Sequence, residues 1–337
     1  MTKSIKVKII SGIMIAIIVL AFLFVVVDDD TSIGSYDYDA SLPYTDTAEW
    51  MQYISDDEYI SEITIPGTHD SSTANVPLGY FMRCQNTDIA SQLSDGYRYL
   101  DLRLAIDDKN DNKLKLVHNF VSCHVSGNIL SDYLYLEDVT AAIYSFLEAH
   151  PYETVIVNCK IEDDDHSVAD VQQLLNAEIA ANKDKWYTDS SIPTLGQVRG
   201  KIVLMTRFED AVGLGSNGIQ FIWTEQNNTT PIDIPYELYV NDDCRLWVQD
   251  RYKYSFDDKY QALIDGFENC EADENTLFIN FASTTGTGFA GHPKTYADKI
   301  NGLILDYDFK EATSYGIIVV DYGTADLARH IYLSNDF

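Results

Sequence analysis

The chain has 337 residues, of which 46% are hydrophobic, so it can bury the core of one large domain. Its formal net charge of −30 at pH 7 argues against binding to nucleic acid or to a bilayer through a broad basic patch. The five cysteines form no Cys-x-x-Cys pair. The sequence therefore indicates neither a zinc site nor a full disulfide framework, although one or two bridges remain open.

The N-terminal segment predicts a membrane anchor. Three lysines precede nineteen uncharged residues, Ile9 to Val27, and three aspartates follow them. Such a run spans a hydrocarbon layer of about 30 Å as a helix, and the lysines are expected to stay inside the cell. We predict a transmembrane helix in residues 1–27, an acidic tether in 28–48 and an extracellular domain in 49–337, which together make a single-pass cell-membrane protein. A cleaved signal peptide, which would give a secreted protein, is the alternative.

Short apolar runs alternate with amphipathic stretches along the rest of the chain, as expected of repeated βα units. The predicted strands are Ile63 to Ile65, Tyr99 to Leu102, Leu114 to Val117, Val155 to Asn158, Ile202 to Thr206, Leu246 to Gln249, Leu277 to Phe281 and Ile317 to Val320. Apolar stripes with helical spacing run from Leu136 to Leu147, Val168 to Ile179, Phe256 to Phe267 and Tyr296 to Tyr307. The pattern predicts a single-domain α/β fold, a distorted TIM-type barrel. A doubly wound open sheet is the alternative, but no glycine-rich nucleotide turn follows the first strand.

Polar side chains follow most of the predicted strands. In a parallel barrel these strand ends open on one face, where such folds carry their active sites. The period of two along a strand also puts Asp101 on the face of Arg103, and Asn158 on the face of Lys160. The residues at the strand ends are His69 with Asp70, Arg103, His118, Lys160, Arg207, Asp250 and Asp321.

This set of side chains suits attack on a phosphate diester. One histidine can take the proton of a nucleophilic hydroxyl while the other protonates the departing oxygen. An arginine offers paired planar donors to the phosphoryl oxygens. Further lysine, arginine and aspartate side chains suit a substrate with many hydroxyls, and an aromatic such as Tyr252 suits the face of a ring.

The motifs that carry these residues resemble those of bacterial phosphatidylinositol-specific phospholipase C. The likeness runs from about Ile63 to Tyr322, and the chain departs from the family pattern at Asn158-Cys159 and at Asn119, where the family has small polar residues and a glycine. The similar motifs are Ile65 to Ser71, Tyr99 to Arg103, His118, Val155 to Lys160, Gly200 to Arg207, Val248 to Tyr252 and Ile279 to Ser283.

The resemblance implies a lyase that acts on phosphatidylinositol without a metal or other cofactor. The inositol 2-hydroxyl would attack phosphorus, diacylglycerol would leave, and inositol 1,2-cyclic phosphate would form. His69 would be the general base, supported by Asp321, and His118 the general acid, partnered by Asp70. Arg103 would bind the phosphate where calcium sits in eukaryotic relatives. The inositol would be held by Lys160, Arg207, Asp250 and Tyr252.

Two other functions stay open at this point. A glycerophosphodiester phosphodiesterase also uses two histidines on a barrel, but it normally needs a carboxylate-held metal ion where this chain has Arg103. A noncatalytic barrel that binds inositol or a glycan would not require both histidines and Asp321. As a partner we expect phosphatidylinositol or a glycosylphosphatidylinositol in a membrane, with no nucleic acid, and we expect a monomer.

Overall fold

The computed structural model describes residues 36–128, 130–213, 218–223, 236–241, 244–287 and 292–337, with backbone alone for 236–241. The strands are β1 Ile65–Thr68, β2 Tyr99–Asp107, β3 Lys113–His118, β4 Val121–Ser122, β5 Val155–Ile161, β6 Trp186–Tyr187, β7 Ile202–Thr206, β8 Ile219–Gln220, β9 Tyr236–Asn241, β10 Cys244–Gln249, β11 Thr276–Phe281 and β12 Ile317–Val320. The α-helices are α1 Gly79–Met82, α2 Ile89–Ser94, α3 Leu136–Ala149, α4 Val168–Ala181, α5 Leu195–Val198, α6 Phe256–Glu268, α7 Pro293–Leu305 and α8 Ala325–Tyr332.

The strands form one curved sheet in the order β6-β7-β5-β2-β1-β12-β11-β10-β9. The pairings from β6 to β10 are parallel, whereas β9 joins the edge antiparallel to β10. On the other side, β8 pairs with β7, and the hairpin of β3 and β4 extends from β2. Between the described strands no pairing closes the two edges, so the sheet is a distorted half-barrel with the α/β alternation of a TIM barrel.

The prediction of an N-terminal transmembrane helix is corrected. In the described part of the chain, no helix is long and apolar enough to cross a membrane. The longest helices, α3 and α4, have 14 residues each, which at 1.5 Å per residue is well short of a hydrocarbon layer of about 30 Å. The segment 9–27 that prompted the prediction lies outside the described residues. The single-pass membrane location that depended on this helix is therefore withdrawn.

Apolar side chains fill both faces of the sheet. The side chains of Tyr99 and Ile156 belong to the cluster inside the half-barrel, whereas Leu100 and Leu102 belong to the cluster beneath α3 and α4. Because side chains alternate along a strand, Asp101 and Arg103 continue the inner face of β2 toward its carboxyl end. The carboxyl ends of the parallel strands thus carry polar side chains above an apolar interior.

Gly67 allows β1 and β2 to approach each other closely. A Cβ atom at this position would lie 2.8 Å from the ring of Tyr99, which is closer than carbon atoms pack. The close approach brings the end of β1, with His69 and Asp70, alongside β2 and its Arg103. A glycine in the first strand is therefore a requirement of the site as well as of the fold.

Candidate active site

His69 and Asp321 occupy equivalent positions on neighbouring strands. Thr68 of β1 pairs with Val320 of β12, and the next residue of each strand carries the polar side chain. The Nδ1 atom of His69 lies 2.8 Å from Oδ1 of Asp321, and the Asp321 carbonyl accepts a hydrogen bond of 2.8 Å from Asn301. The parallel register therefore places the carboxylate where it orients the imidazole.

The charges around His69 favour its protonated form. Burial alone would lower the pKa of the imidazole, but the carboxylates of Asp70 and Asp321 outweigh burial and raise the pKa to about 9. Arg103 opposes this rise, because its Nη2 atom lies 2.8 Å from Nε2 of His69. The imidazole is thus a strong base when neutral, and its second nitrogen points at a guanidinium.

Arg103 is enclosed by acidic side chains. Its Nε atom lies 2.6 Å from Oδ1 of Asp70, Nη1 lies 2.9 Å from Oε1 of Glu162, and Nη2 lies 3.3 Å from Oδ2 of Asp101. These partners raise the pKa of the guanidinium further above its ordinary value, against the effect of burial. The side chain is therefore a fixed cation beside His69, and Nη1 retains one N–H beyond the one given to Glu162.

His118 reaches the site on a strand that runs antiparallel to the barrel strands. β2 continues four residues past Arg103, and β3 returns alongside it. The Nδ1 atom of His118 lies 2.7 Å from the carbonyl oxygen of Met82, which leaves Nε2 3.3 Å from Oδ2 of Asp70. The next residue, Asn119, has a φ of 52°, a left-handed conformation that asparagine adopts more readily than most residues other than glycine.

Asp70 joins the two imidazoles. Its Oδ2 atom lies 3.4 Å from Nε2 of His69 and 3.3 Å from Nε2 of His118. The residue is 2% exposed and has a φ of 43°, a conformation that aspartate tolerates better than most residues. The turn after β1 therefore directs this carboxylate into the site, between the two rings.

A second group of predicted residues lies across the mouth of the half-barrel. The Oδ2 atom of Asp250 lies 3.2 Å from Nη2 of Arg207 and accepts a hydrogen bond of 2.8 Å from Trp223. The guanidinium of Arg207 lies over the Trp223 ring, with Cζ 3.7 Å from the ring centre. Tyr252 lies two residues beyond Asp250, and its carbonyl oxygen accepts the Thr285 N–H at 2.7 Å.

Glu162 is a site residue that the sequence did not single out. Its Oε1 atom binds Nζ of Lys160 at 2.7 Å as well as Nη1 of Arg103, and its Oε2 atom accepts the Asn119 N–H at 2.7 Å. Burial would raise its pKa, but these two cations hold it at about 2. The period of two that puts Asn158 and Lys160 on one face of the strand puts Glu162 on the same face, so the sequence pattern could have identified it. No comparable pattern marks Trp223, which follows the short strand β8.

One group of described residues has metal-binding atoms close together. The ligand atoms of His69, Asp70 and Cys84 lie within 4.8 Å of one another. Two of these residues already contact Arg103, and burial raises the pKa of the Cys84 thiol well above its ordinary value. A divalent ion would have to displace the guanidinium and deprotonate this thiol, so the donor set does not fit a resident metal.

Aromatic side chains stand exposed near the two histidines. Phe120, two residues after His118, is 82% exposed, and Tyr80 and Phe81 of α1 are 39% and 42% exposed. The carbonyl of the following residue, Met82, holds His118.

Comparisons with known proteins identify the family. A family model described as "Phosphatidylinositol-specific phospholipase C, X domain" matches residues 63–208. A 1-phosphatidylinositol phosphodiesterase of Staphylococcus aureus (strain Newman) is 30% identical over 314 residues, which cover 85% of this chain and 93% of the relative. The chain belongs to the phosphatidylinositol-specific phospholipase C family. The matched model contains His69, Asp70, Arg103, His118, Lys160 and Arg207, whereas Asp250, Tyr252 and Asp321 lie beyond it.

A second curated relative and two solved structures belong to the same family as this phosphatidylinositol-specific phospholipase C. A 1-phosphatidylinositol phosphodiesterase of Listeria monocytogenes is 27% identical over 308 residues, which cover 86% of each protein. A crystal structure of the phosphatidylinositol-specific phospholipase C of Staphylococcus aureus has a TM-score of 0.71 at 23% identity, and the match covers 87% of this chain and 99% of that one. That of Listeria monocytogenes has a TM-score of 0.64 at 24% identity, with 86% and 99% covered. The resemblance and the enzyme class drawn from the sequence are confirmed.

Proposed function

We propose that this phosphatidylinositol-specific phospholipase C forms inositol 1,2-cyclic phosphate by attack of the inositol 2-hydroxyl on phosphorus. A bond forms between that oxygen and phosphorus, and the bond from phosphorus to the glycerol oxygen breaks. The observation that carries the proposal is the arrangement of His69 and His118 on either side of the Asp70 carboxylate, beside the Arg103 guanidinium. Two proton-transfer groups next to one fixed cation suit an in-line displacement at an anionic phosphorus.

His69 is the proposed general base. Its Nδ1 proton is directed at Asp321, so Nε2 carries the lone pair that accepts the proton of the 2-hydroxyl. The two neighbouring carboxylates stabilise the imidazolium that results, and the driving force for proton abstraction rises with the pKa of the base. The 2-hydroxyl would replace the contact between Nε2 and Arg103.

Arg103 is the proposed phosphate-binding group. Its remaining Nη1 proton and the Nη2 proton released from His69 can each bind one nonbridging phosphoryl oxygen, which is the paired geometry that guanidinium groups favour. Asp70, Asp101 and Glu162 fix its orientation before substrate arrives. A fixed cation stabilises charge that develops in the transition state without reorganising during the reaction.

His118 is the proposed general acid. The Met82 carbonyl accepts its Nδ1 proton, and Asp70 stabilises the imidazolium through Nε2. The Nε2 proton then passes to the glycerol oxygen as the bond to phosphorus breaks. Asp70 lies between base and acid, so one carboxylate supports both proton transfers.

The second group of residues is proposed to bind the inositol ring. Arg207 and Asp250 together offer donors and acceptors to neighbouring hydroxyls, which both donate and accept hydrogen bonds. Lys160 is held toward the same mouth by Glu162, and Tyr252 is proposed to lie against the ring face. The exposed aromatics near His118 are proposed to contact the lipid surface in which the substrate sits.

The reaction is proposed to need no metal ion. The support is Arg103, which contacts two of the three residues whose ligand atoms lie closest together. The decisive experiment is to mix the protein with phosphatidylinositol in detergent micelles and follow the phosphorus NMR spectrum, with and without EDTA. We expect a five-membered cyclic phosphate signal in both samples. A phosphomonoester without a cyclic intermediate, or a signal lost in EDTA, contradicts the proposal.

The same assay includes two active-site variants, one matched control variant and a second substrate. His69→Ala and His118→Ala should each abolish the cyclic phosphate signal, whereas His150→Ala should not, because His150 pairs with Glu49 near the end of α3, away from the site. A protein carrying a glycosylphosphatidylinositol, embedded in the same micelles, tests whether the headgroup site accepts a glycosylated inositol. Its release into the detergent-free phase reports cleavage.

A further inference from the structure

Lys259 is fully buried in the first turn of α6. Its side chain is 0% exposed, and the helix begins at Phe256 after the N-cap Ser255, whose hydroxyl accepts the Asp258 N–H at 3.2 Å. A buried ammonium loses its hydration, and a cation in the first turn opposes the helix dipole. Burial and the helix dipole therefore both disfavour a lysine at this position. Its presence indicates a role for the charge outside the helix itself.

The hydrogen bond of this lysine leads to the headgroup side of the site. Among the described residues its Nζ atom makes one hydrogen bond, of 2.9 Å to Oε1 of Gln249, and no ion pair. Gln249 is the last residue of β10, directly before Asp250, and its Nε2 atom binds Asn280 at 2.8 Å and the Phe281 carbonyl at 2.8 Å. The ammonium thus anchors the end of the strand that carries Asp250.

The helix is held close to these strands by Gly266. A Cβ atom there would lie 2.2 Å from Nδ2 of Asn280, which donates a hydrogen bond of 2.9 Å to the Leu263 carbonyl of α6. Lys259 near the start of α6 and Leu263 and Gly266 further along it therefore tie this helix to the ends of β10 and β11.

Three charged groups face Lys259 from the neighbouring elements. Burial lowers the pKa of the ammonium, and Arg251 of the loop after β10 acts in the same direction, whereas Asp250 and Asp321 raise it, with a result of about 7. Both carboxylates belong to the proposed reaction, one on the inositol side and one behind the base His69.

We propose that Lys259 is a positioning residue for the headgroup side of the reaction, whose buried ammonium fixes Gln249 at the end of the strand that leads to Asp250. The inference rests on the proposed function, because it assigns the inositol ring to Asp250. Lys259 itself is too deeply buried to touch substrate.

Folding alone does not require this charge. In Lys259→Met the Oε1 atom of Gln249 keeps the N–H of Arg251, at 2.9 Å, as a hydrogen-bond donor. The buried ammonium is itself costly to desolvate, so an apolar side chain of similar length at this position need not destabilise the fold. A positioning role therefore predicts that the Met variant keeps its stability while it loses activity, whereas a structural role predicts that both fall together.

The experiment compares wild type, Lys259→Met and Lys259→Arg, with Lys294→Met as a matched control. Lys294 is a second buried lysine in the first turn of a helix, α7, but it is paired with Asp298 at 3.1 Å, so its loss should lower the Tm. The measurements are the Tm, kcat and KM on phosphatidylinositol micelles, and the inhibition constant of free myo-inositol from pH 6 to 8.

We expect Lys259→Met to keep or raise the Tm while kcat/KM falls roughly tenfold or more, with weaker inhibition by myo-inositol at every pH. Wild type should lose affinity for myo-inositol as the pH rises through the range in which the ammonium loses its proton. Lys259→Arg, which stays charged, should show less of this pH dependence. Other titrating groups contribute equally to all three proteins, so the difference between them isolates Lys259.

Two outcomes overturn the inference. One is a Lys259→Met protein with wild-type kcat/KM and wild-type inhibition by myo-inositol. The other is a parallel loss of Tm and activity, or failure to fold, which assigns the lysine a structural role. A wild-type protein that does not cleave phosphatidylinositol contradicts the proposed function instead, and the two failures are therefore distinguishable.

Discussion

The Nη2 atom of Arg103 lies 2.8 Å from the Nε2 atom of His69. A guanidinium can only donate hydrogen bonds, so this contact requires a lone pair on Nε2 and a proton on Nδ1, where Asp321 accepts it. The geometry therefore belongs to the neutral imidazole, whereas the surrounding carboxylates favour the imidazolium. Protonation of His69 must break the contact with Arg103, which links proton abstraction to the release of a phosphate-binding N–H.

The first prediction concerns Asp321→Asn. Burial lowers the pKa of His69, and Asp70 and Asp321 raise it to about 9, so the base becomes neutral only as the pH rises toward that value. Removal of one carboxylate lowers the pKa. The acid limb of kcat/KM should move to lower pH by about one unit, while the plateau falls roughly 100-fold because the ring loses its orienting partner.

The control for this prediction is Asp250→Asn. The Asp250 carboxylate contacts Arg207 and Trp223 rather than His69, so its loss should raise KM and leave the acid limb nearly in place. The measurement is kcat/KM between pH 5 and 10 on micellar phosphatidylinositol. An acid limb in Asp321→Asn that coincides with wild type contradicts the assignment of Asp321 as the partner of the base.

The second prediction separates the acid from the base by the leaving group. Diacylglycerol leaves as a poor alkoxide and needs a proton, whereas p-nitrophenolate leaves without one. His118→Ala should therefore lose about 10² to 10⁴ in kcat on phosphatidylinositol but much less on the p-nitrophenyl phosphodiester of inositol. His69→Ala should lose activity on both substrates, because the 2-hydroxyl must still be deprotonated. If His118→Ala loses the same activity on both substrates, His118 is not the group that protonates the leaving oxygen.

The third prediction concerns the shape of the cation at position 103. Arg103→Lys keeps the charge, but an ammonium cannot contact Asp70, Glu162 and His69 at the same time as the planar guanidinium does. We expect kcat to fall about 100-fold, with a smaller change in KM, because the loss concerns the transition state. Wild-type turnover should be unchanged by EDTA, and a strict calcium requirement would argue against the proposed role of Arg103.

The sequence predicts the parallel part of the fold well. The apolar runs at Ile202–Thr206 and Ile317–Val320 coincide with β7 and β12. The first strand is shifted: β1 begins at Ile65, the last residue of the predicted Ile63 to Ile65 strand, and continues to Thr68, because Pro66-Gly67 does not end it. The sequence does not predict the antiparallel edge strand β9 or the eight-residue helix α8, in which apolar side chains are interspersed with Asp326, Arg329 and His330. Period-two and helical patterns identify buried elements, whereas edges and short helices carry weak patterns.

Register explains which site residues the sequence could predict. His69 and Asp321 meet because β1 and β12 pair in parallel, and their positions at strand ends are visible in the chain. The acceptor for His118 is the Met82 carbonyl, a backbone atom of an unpredicted helix that no residue type signals. Side chains at strand ends are thus predictable, and the backbone partners that fix their tautomers are not.

The last prediction concerns the aromatic side chain beside the general acid. Phe120 is 82% exposed in the turn after His118, and an apolar ring gains roughly 25 cal/mol per Å² when it leaves water. Phe120→Ala should lower activity on phosphatidylinositol vesicles several-fold while leaving kcat/KM unchanged on a short-chain monomeric substrate. Tyr152→Ala is the matched control, because Tyr152 is 59% exposed in the turn before β5, at the opposite end of the strands. Equal effects of the two substitutions on vesicle activity would assign Phe120 no specific contact with lipid.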